Sequence, residues 1–271
     1  MQATLPHLIP SGGSPKKNSD SRKNDLPGGD NDSRKHLGRD HDPREKLIVA
    51  LDVASAAAAQ KIVAAVGDSA LTYKVGMQLF TAEGPQVVRD LVASGRRVFL
   101  DLKYHDIPTT VEAAVREAAQ LGVSMLTVHA AGSAKMLRAA VDSARAINPA
   151  LVVLGVTVLT SLDENDLDSI GIQGTVVAEV VRLAELALAK GCQGIVTSAR
   201  EASAVRTKLG NNFAIVTPGV RPAGSAHADQ ARVVTPAEAI AAGASHIVVG
   251  RPITAAPDPA AEAQSILEQI S

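Results

Sequence analysis

Eight short runs of β-branched and other apolar residues recur along this chain, separated by alanine-rich stretches of helical period. They cover residues 46–52 (KLIVALD), 72–76 (TYKVG), 97–101 (RVFLD), 124–129 (SMLTVH), 151–158 (LVVLGVTV), 194–198 (GIVTS), 214–219 (AIVTPG) and 245–250 (SHIVVG). Between them the period predicts helices over residues 56–66, 86–94, 110–121, 134–147, 176–190 and 236–242. Several of these run into glycine, as in ASG, QLG, AKG and AAG, where a helix end accepts a left-handed residue. Parallel strands need a crossover connection, usually a helix, so eightfold strand–helix alternation implies a parallel sheet. Eight units at this spacing favour an α/β fold closed into a single (β/α)8 TIM barrel. An open, doubly wound sheet is the alternative. No G-x-G-x-x-G follows the first strand, which weakens the dinucleotide-binding version of it.

Residues 1–45 stand outside this pattern. They hold eight Lys or Arg, seven Asp or Glu, and five each of Gly and Pro, without apolar periodicity. Such a segment cannot bury enough apolar surface to offset its ordering entropy, so a disordered polar extension is expected there. It lacks the apolar centre of a signal peptide, and its aspartates argue against a transit peptide. The catalytic domain is therefore expected over residues 46–271.

Composition narrows the function classes. The net charge is −1, and three Phe and two Tyr are the only aromatic residues besides His, with no Trp. That offers neither a broad basic face nor stacking platforms, which argues against nucleic-acid binding. No apolar run approaches the roughly 20 residues of a membrane span. A single cysteine, Cys192, forms no intrachain disulfide and reads as an ordinary half-buried residue in a reducing, cytoplasmic setting.

In a barrel of this kind chemistry gathers at the C-terminal ends of the strands, and polar residues lie there in this chain. Asp52 ends the first run, Lys74 sits late in the second, and Asp101 and Lys103 end the third, followed by Asp106 in DLKYHDIPTT. Strand side chains alternate faces, so Asp101 and Lys103 are expected to point the same way. The sequence Asp52, Lys74, Asp101, Lys103, Asp106 would form a network of alternating sign that keeps each lysine charged and each carboxylate ionised. It supplies a fixed field and a proton donor, Lys103, with no cofactor. A solvated strand end is the plain structural reading of any one of these charges. His129 ends the fourth run, within reach of the site, and reads as an interior or rim histidine with a structural hydrogen bond; His105 reads as orienting its loop. Neither stands at a metal-ligand spacing from a partner, so no metal is expected.

At the ends of runs seven and eight stand TPGVRP and VVGRP, with Gly219, Arg221, Gly250 and Arg251. Glycine admits close backbone approach, exposed N–H groups point at an anion, and arginine adds paired donors. Two ordinary turns with surface arginines would look similar singly. On adjacent strands of a barrel the pair predicts a phosphate monoester site.

Taken together, ALDV, YKVG, FLDLKYHDIPTTV, VTVLTS, VTPGVRP, DQARVVTPAEA and VVGRPIT resemble the orotidine 5′-monophosphate decarboxylase family in order and spacing, over residues 46–271. The resemblance implies cofactor-independent decarboxylation of orotidine 5′-monophosphate to uridine 5′-monophosphate in pyrimidine biosynthesis. It implies that Lys103 delivers a proton to C6, with Asp101 beside the substrate carboxylate. Lys74 would bridge Asp101 and the ribose hydroxyls, with Asp52 also on the ribose. Asp106 and Thr110 would reach across a homodimer interface into the neighbouring site. Thr160 would meet the pyrimidine edge. Arg221, Gln230, Gly250 and Arg251 would hold the 5′-phosphate, with Gln230 on a closing loop. A metal-dependent sugar-phosphate decarboxylase or aldolase of the same superfamily shares D-x-K-x-x-D but fits HDIPTT and VTPGVRP less well. A non-catalytic phosphate sensor is expected to have lost one of Lys74, Asp101, Lys103 or Asp106, and all four are present.

Overall fold

A strand covered on both faces needs apolar side chains at both parities, and the short runs supply them. In the computed structural model, which describes residues 42–222 and 234–271, they form β1 (Leu47–Ala50), β2 (Thr72–Gly76), β3 (Arg97–Tyr104), β4 (Met125–His129), β5 (Val152–Val156), β6 (Gly194–Val196), β7 (Ala214–Thr217) and β8 (His246–Val249). Every neighbouring pair is parallel, and β1 pairs with β8 through Ile48 opposite Val248, so the sheet closes. The (β/α)8 barrel is therefore the architecture, and the open-sheet alternative is excluded by that last pairing.

One parity fills the barrel interior with Ile48, Ala50, Phe99, Leu154, Val156, Val216 and Val248. The other, including Val49, Tyr73, Leu100, Leu126 and Ile215, packs outward into a larger core under the helices. These helices are α1 (Ala56–Val66), α2 (Met77–Glu83), α3 (Gln86–Ala93), α4 (Pro108–Gln120), α5 (Ser133–Ile147), α6 (Glu164–Ser169), α7 (Val176–Ala189), α8 (Ala199–Leu209), α9 (Pro236–Ala241), α10 (Arg251–Thr254) and α11 (Pro259–Gln269). Their starts carry local chemistry: the Ser55 and Thr175 hydroxyls accept N–H bonds at the heads of α1 and α7, and Thr235 with Glu238 forms a capping box on α9. Gly122 and Gly191, read as helix stops, both take positive φ (79° and 96°). None of the described helices is long and apolar enough to cross a membrane.

The structure departs from the sequence reading in several places. Strand β3 runs three residues further, to Tyr104. Helix α4 starts at Pro108, whose fixed φ and missing N–H suit a first turn, so Thr110 is helical and the loop before it is short. Residues 43–45, counted with the polar extension on composition, form a 3₁₀ turn, and Glu45 pairs with Arg97. Cys192 is buried rather than half-buried, and burial pushes its thiol up to about 12. The remainder of the extension, residues 1–41, lies outside the described residues, as does Gln230.

Candidate active site

The interior parity that carries Ile48, Ala50 and Phe99 continues, two residues on, to Asp52 and Asp101, and on β2 it passes from Thr72 to Lys74. Apolar side chains thus fill the barrel, and charged ones follow at its C-terminal mouth. Lys74 Nζ donates to Asp52 Oδ1 at 2.7 Å and stands 4.0 Å from Asp101 Oδ2. Lys103 Nζ is held by both oxygens of Asp101 at 2.9 Å. A Cβ on Gly76 would lie 2.9 Å from Lys74 Nζ and 3.0 Å from Asp52 Oδ1, so the first ion pair occupies room that a side chain there would take. The row alternates in sign from rim to interior: Asp52 is 58% exposed at the side chain, Lys74 and Asp101 only 11% and 13%. Alternation offsets the desolvation that any single buried charge would suffer.

Simple strand alternation does not account for the last member of the row. Phe99 and Leu100 pair with Met125 and Leu126, but Tyr104 pairs with Val128, so residues 101–104 of β3 stand against only two residues of β4. This bulge places Lys103 at φ 51°, a left-handed conformation rare for a residue with a side chain. In place of regular ladder bonds, the Lys103 N–H donates to Thr127 Oγ1 at 2.9 Å, and that hydroxyl donates to Asp101 Oδ1 at 3.0 Å. One buried hydroxyl thus ties backbone and carboxylate together. Thr127 is absent from the residues singled out by sequence. Its signal was a polar residue at interior parity in an otherwise apolar strand, two positions before His129.

Beside the row lies a cavity of about 220 Å³ whose lining combines Lys74, Asp101 and Lys103 with the apolar Phe99, Val156, Val158, Val196, Pro218 and Val248 and with Thr160, Ser161 and Thr197. The Thr197 hydroxyl is buried and meets no hydrogen-bond partner among the described residues. Two cations and a carboxylate in the lining of a largely apolar cavity can stabilise charge that develops on a bound molecule, because low-dielectric surroundings screen it less than water does.

Other expected residues sit elsewhere. Asp106 is exposed, its Oδ1 accepting the Ile107 N–H at 2.6 Å, and within one chain it does not join the row. Sign alternation among the paired charges therefore stops at Lys103, and Asp106 lies between the end of β3 and the start of α4. Thr110 is exposed on the first turn of α4. Arg221 is buried just past β7, and its N–H donates to Val234 O at 3.0 Å; Gly250 and the exposed Arg251 follow β8 as the head of α10. These three stand past the Pro218 and Val248 wall and do not line the cavity.

His129 follows Thr127 at the same parity, and its ring meets that of His105 at 5.2 Å between centroids. Burial, with His105 and Lys103 beside it, holds His129 below the ordinary imidazole range against the opposing pull of Asp101. It is thus neutral at neutral pH. Among the described residues no three His, Cys, Asp or Glu side chains are grouped to hold a metal ion.

Comparison with known proteins fits this geometry. A profile of the Orotidine 5′-phosphate decarboxylase / HUMPS family matches residues 45–266. Orotidine 5′-phosphate decarboxylase of Anaeromyxobacter dehalogenans is 55% identical over 224 residues, covering 83% of this chain and 97% of the relative. The protein of the same name from Moorella thermoacetica is 52% identical over 233 residues, covering 84% and 92%. The crystal structure of orotidine 5′-phosphate decarboxylase from Lactobacillus acidophilus superposes with a TM-score of 0.76 at 37% identity, covering 83% of this chain and 98% of that one.

Proposed function

Because the chain belongs to the Orotidine 5′-phosphate decarboxylase / HUMPS family, we propose that it converts orotidine 5′-monophosphate to uridine 5′-monophosphate and carbon dioxide, with Lys103 as proton donor. The observation that carries the chemistry is the Lys103 ammonium, held 2.9 Å from both Asp101 oxygens at the wall of the apolar cavity. As the bond from C6 to the carboxylate breaks, carbon dioxide leaves and the electron pair stays on C6. A proton moves from Lys103 Nζ to that carbon, leaving a neutral amine that regains its proton from solvent. An ammonium about 4 Å from a developing carbanion, at an effective dielectric near 20, contributes about 4 kcal/mol, or roughly a thousandfold in rate. The ammonium is already oriented, so little reorganisation accompanies the reaction.

The remaining roles follow the same reading. Asp101 lies beside the substrate carboxylate and keeps Lys103 in place. Lys74 and Asp52 take the ribose hydroxyls, and Thr160 takes the pyrimidine edge. Arg221, Gly250 and Arg251, with Gln230, hold the 5′-phosphate, whose binding energy is available to exclude water at the far end of the ligand. Asp106 and Thr110, both exposed in a single chain, complete the site of a second copy in a homodimer.

An ultraviolet assay of orotidine monophosphate turnover, run with and without EDTA, tests the reaction; activity insensitive to the chelator is expected. Lys103→Ala is expected to abolish turnover while uridine monophosphate binding and the melting curve persist. Retention of a tenth or more of wild-type turnover would overturn the proton-donor role.

A further inference from the structure

Two residues other than glycine have positive φ among those described, Lys103 at 51° and Ser133 at 87°. They flank neighbouring bends, Lys103 in the bulge of β3 just before the bend into α4 and Ser133 at the head of α5 just after the bend from β4. The contact between the His105 and His129 rings joins these same bends. Gly132 marks how closely they are pressed: a Cβ there would collide with Met136 Sδ and come within 3.2 Å of His105 Cδ2. Meanwhile the β3–β4 pairing lapses between Leu100 and Tyr104, so ladder bonds do not hold the Lys103 backbone. What does hold it is Thr127, on the strand that ends in His129.

We propose that His105 and His129 are positioning residues whose ring contact clamps the β3–α4 bend onto β4, keeping Lys103 in its left-handed conformation and its ammonium on Asp101. The inference rests on Lys103 being the proton donor. Neither ring need touch substrate. His105 extends the chain two residues past Lys103, and His129 extends β4 two residues past Thr127, so the ring contact closes a loop whose other side is the Lys103–Thr127 bond. Opening one side leaves the strained residue pinned at a single point, free to relax toward ordinary strand geometry and carry its ammonium off the cavity wall. A neutral His129 suits this task, because a charged ring there would face both His105 and Lys103 and be opposed only by Asp101.

The test compares side chains that keep a flat ring with those that do not. His105→Leu and His129→Leu are expected to lower kcat for orotidine monophosphate at least tenfold, with KM and uridine monophosphate affinity changed less than threefold. His105→Phe is expected to restore kcat to within threefold of wild type. A merely structural role would instead lower the melting temperature and weaken binding together. Because His105 is exposed, its two variants decide the matter even if His129→Leu fails to fold. Wild-type kcat in His105→Leu, or equal losses in His105→Leu and His105→Phe, would overturn the clamp. A wild-type protein without decarboxylase activity would overturn the proposed reaction instead, so the two failures are distinguishable.

Discussion

Lys103 holds a backbone conformation that costs a residue with a side chain about 1–3 kcal/mol, and it does so with its N–H and its ammonium both satisfied. Strain sustained at one residue while its polar groups stay paired fits the proton-donor role proposed for it. The two tyrosines are a simpler case. Burial pushes the Tyr73 phenol up to about 12 and raises Tyr104 as well. Both folded-state values lie above the unfolded value near 10, so the stability they contribute is fully present below pH 10 and is lost as pH rises through the folded values, about 12 for Tyr73. Spectrophotometric titration of the native protein is expected to show no phenolate appearing near pH 10, whereas the denatured chain ionises both tyrosines there. The Tyr73 hydroxyl also has no partner among the described residues. Tyr73→Phe should therefore leave stability at pH 7 unchanged or raise it by about 1 kcal/mol, and should remove part of the alkaline loss. A native tyrosine titrating at its ordinary value would contradict this account.

Among the elements, β3 and β4 carry the proposed proton donor and the hydroxyl that ties it, since their bulge departs from a regular strand end. Thr127→Val keeps the shape but leaves the Lys103 N–H and an Asp101 oxygen short of a partner. The expected cost is roughly 1–3 kcal/mol, each kcal/mol lowering Tm by roughly 2–4 °C for a domain of this size, together with a fall in kcat. Thermal melts and turnover measured side by side check it, and a variant matching wild type in both would remove the tie from the account. The elements also differ in how readable they were. Helices α5 and α7 carry stripes such as Met136, Leu137 and Val141, or Val180 and Leu183, that contrast with polar neighbours. In α8 the buried set is Ala199, Glu201, Ala202 and Val205, and small or charged residues on the buried face blur the period. The prediction left it and α11 unassigned. The bulge was unreadable for a different reason. DLKY is a plausible strand end, and the two extra residues exist only relative to the partner strand.

For the whole molecule, the proposed homodimer makes a prediction about sites rather than single residues. If Asp106 serves its neighbour, Lys103→Ala and Asp106→Ala homodimers are each inactive, but exchange of subunits places both lesions in one site and leaves the other intact. A random equal mixture should regain about a quarter of wild-type sites, by the symmetry of a two-fold interface. Activity that stays near zero after exchange is verified would assign Asp106 to its own chain. Closure shows the same division between local and long-range information. Alternation of faces along a strand is set by backbone geometry repeated every two residues, so eight strands, their interior parity, and the charges at their C-terminal ends were all present in the linear order of residues. Nothing in that order specifies that Ile48 meets Val248, and an open sheet would display the same periods. Pairing between distant segments decided that the sheet closes, that Asp52, Lys74, Asp101 and Lys103 line up at 2.7, 4.0 and 2.9 Å, and that Asp106 stands apart. It also brought Thr127 beneath Lys103 and His129 against His105, because side chains from separate strands acquire partners only once the strands have a shared register.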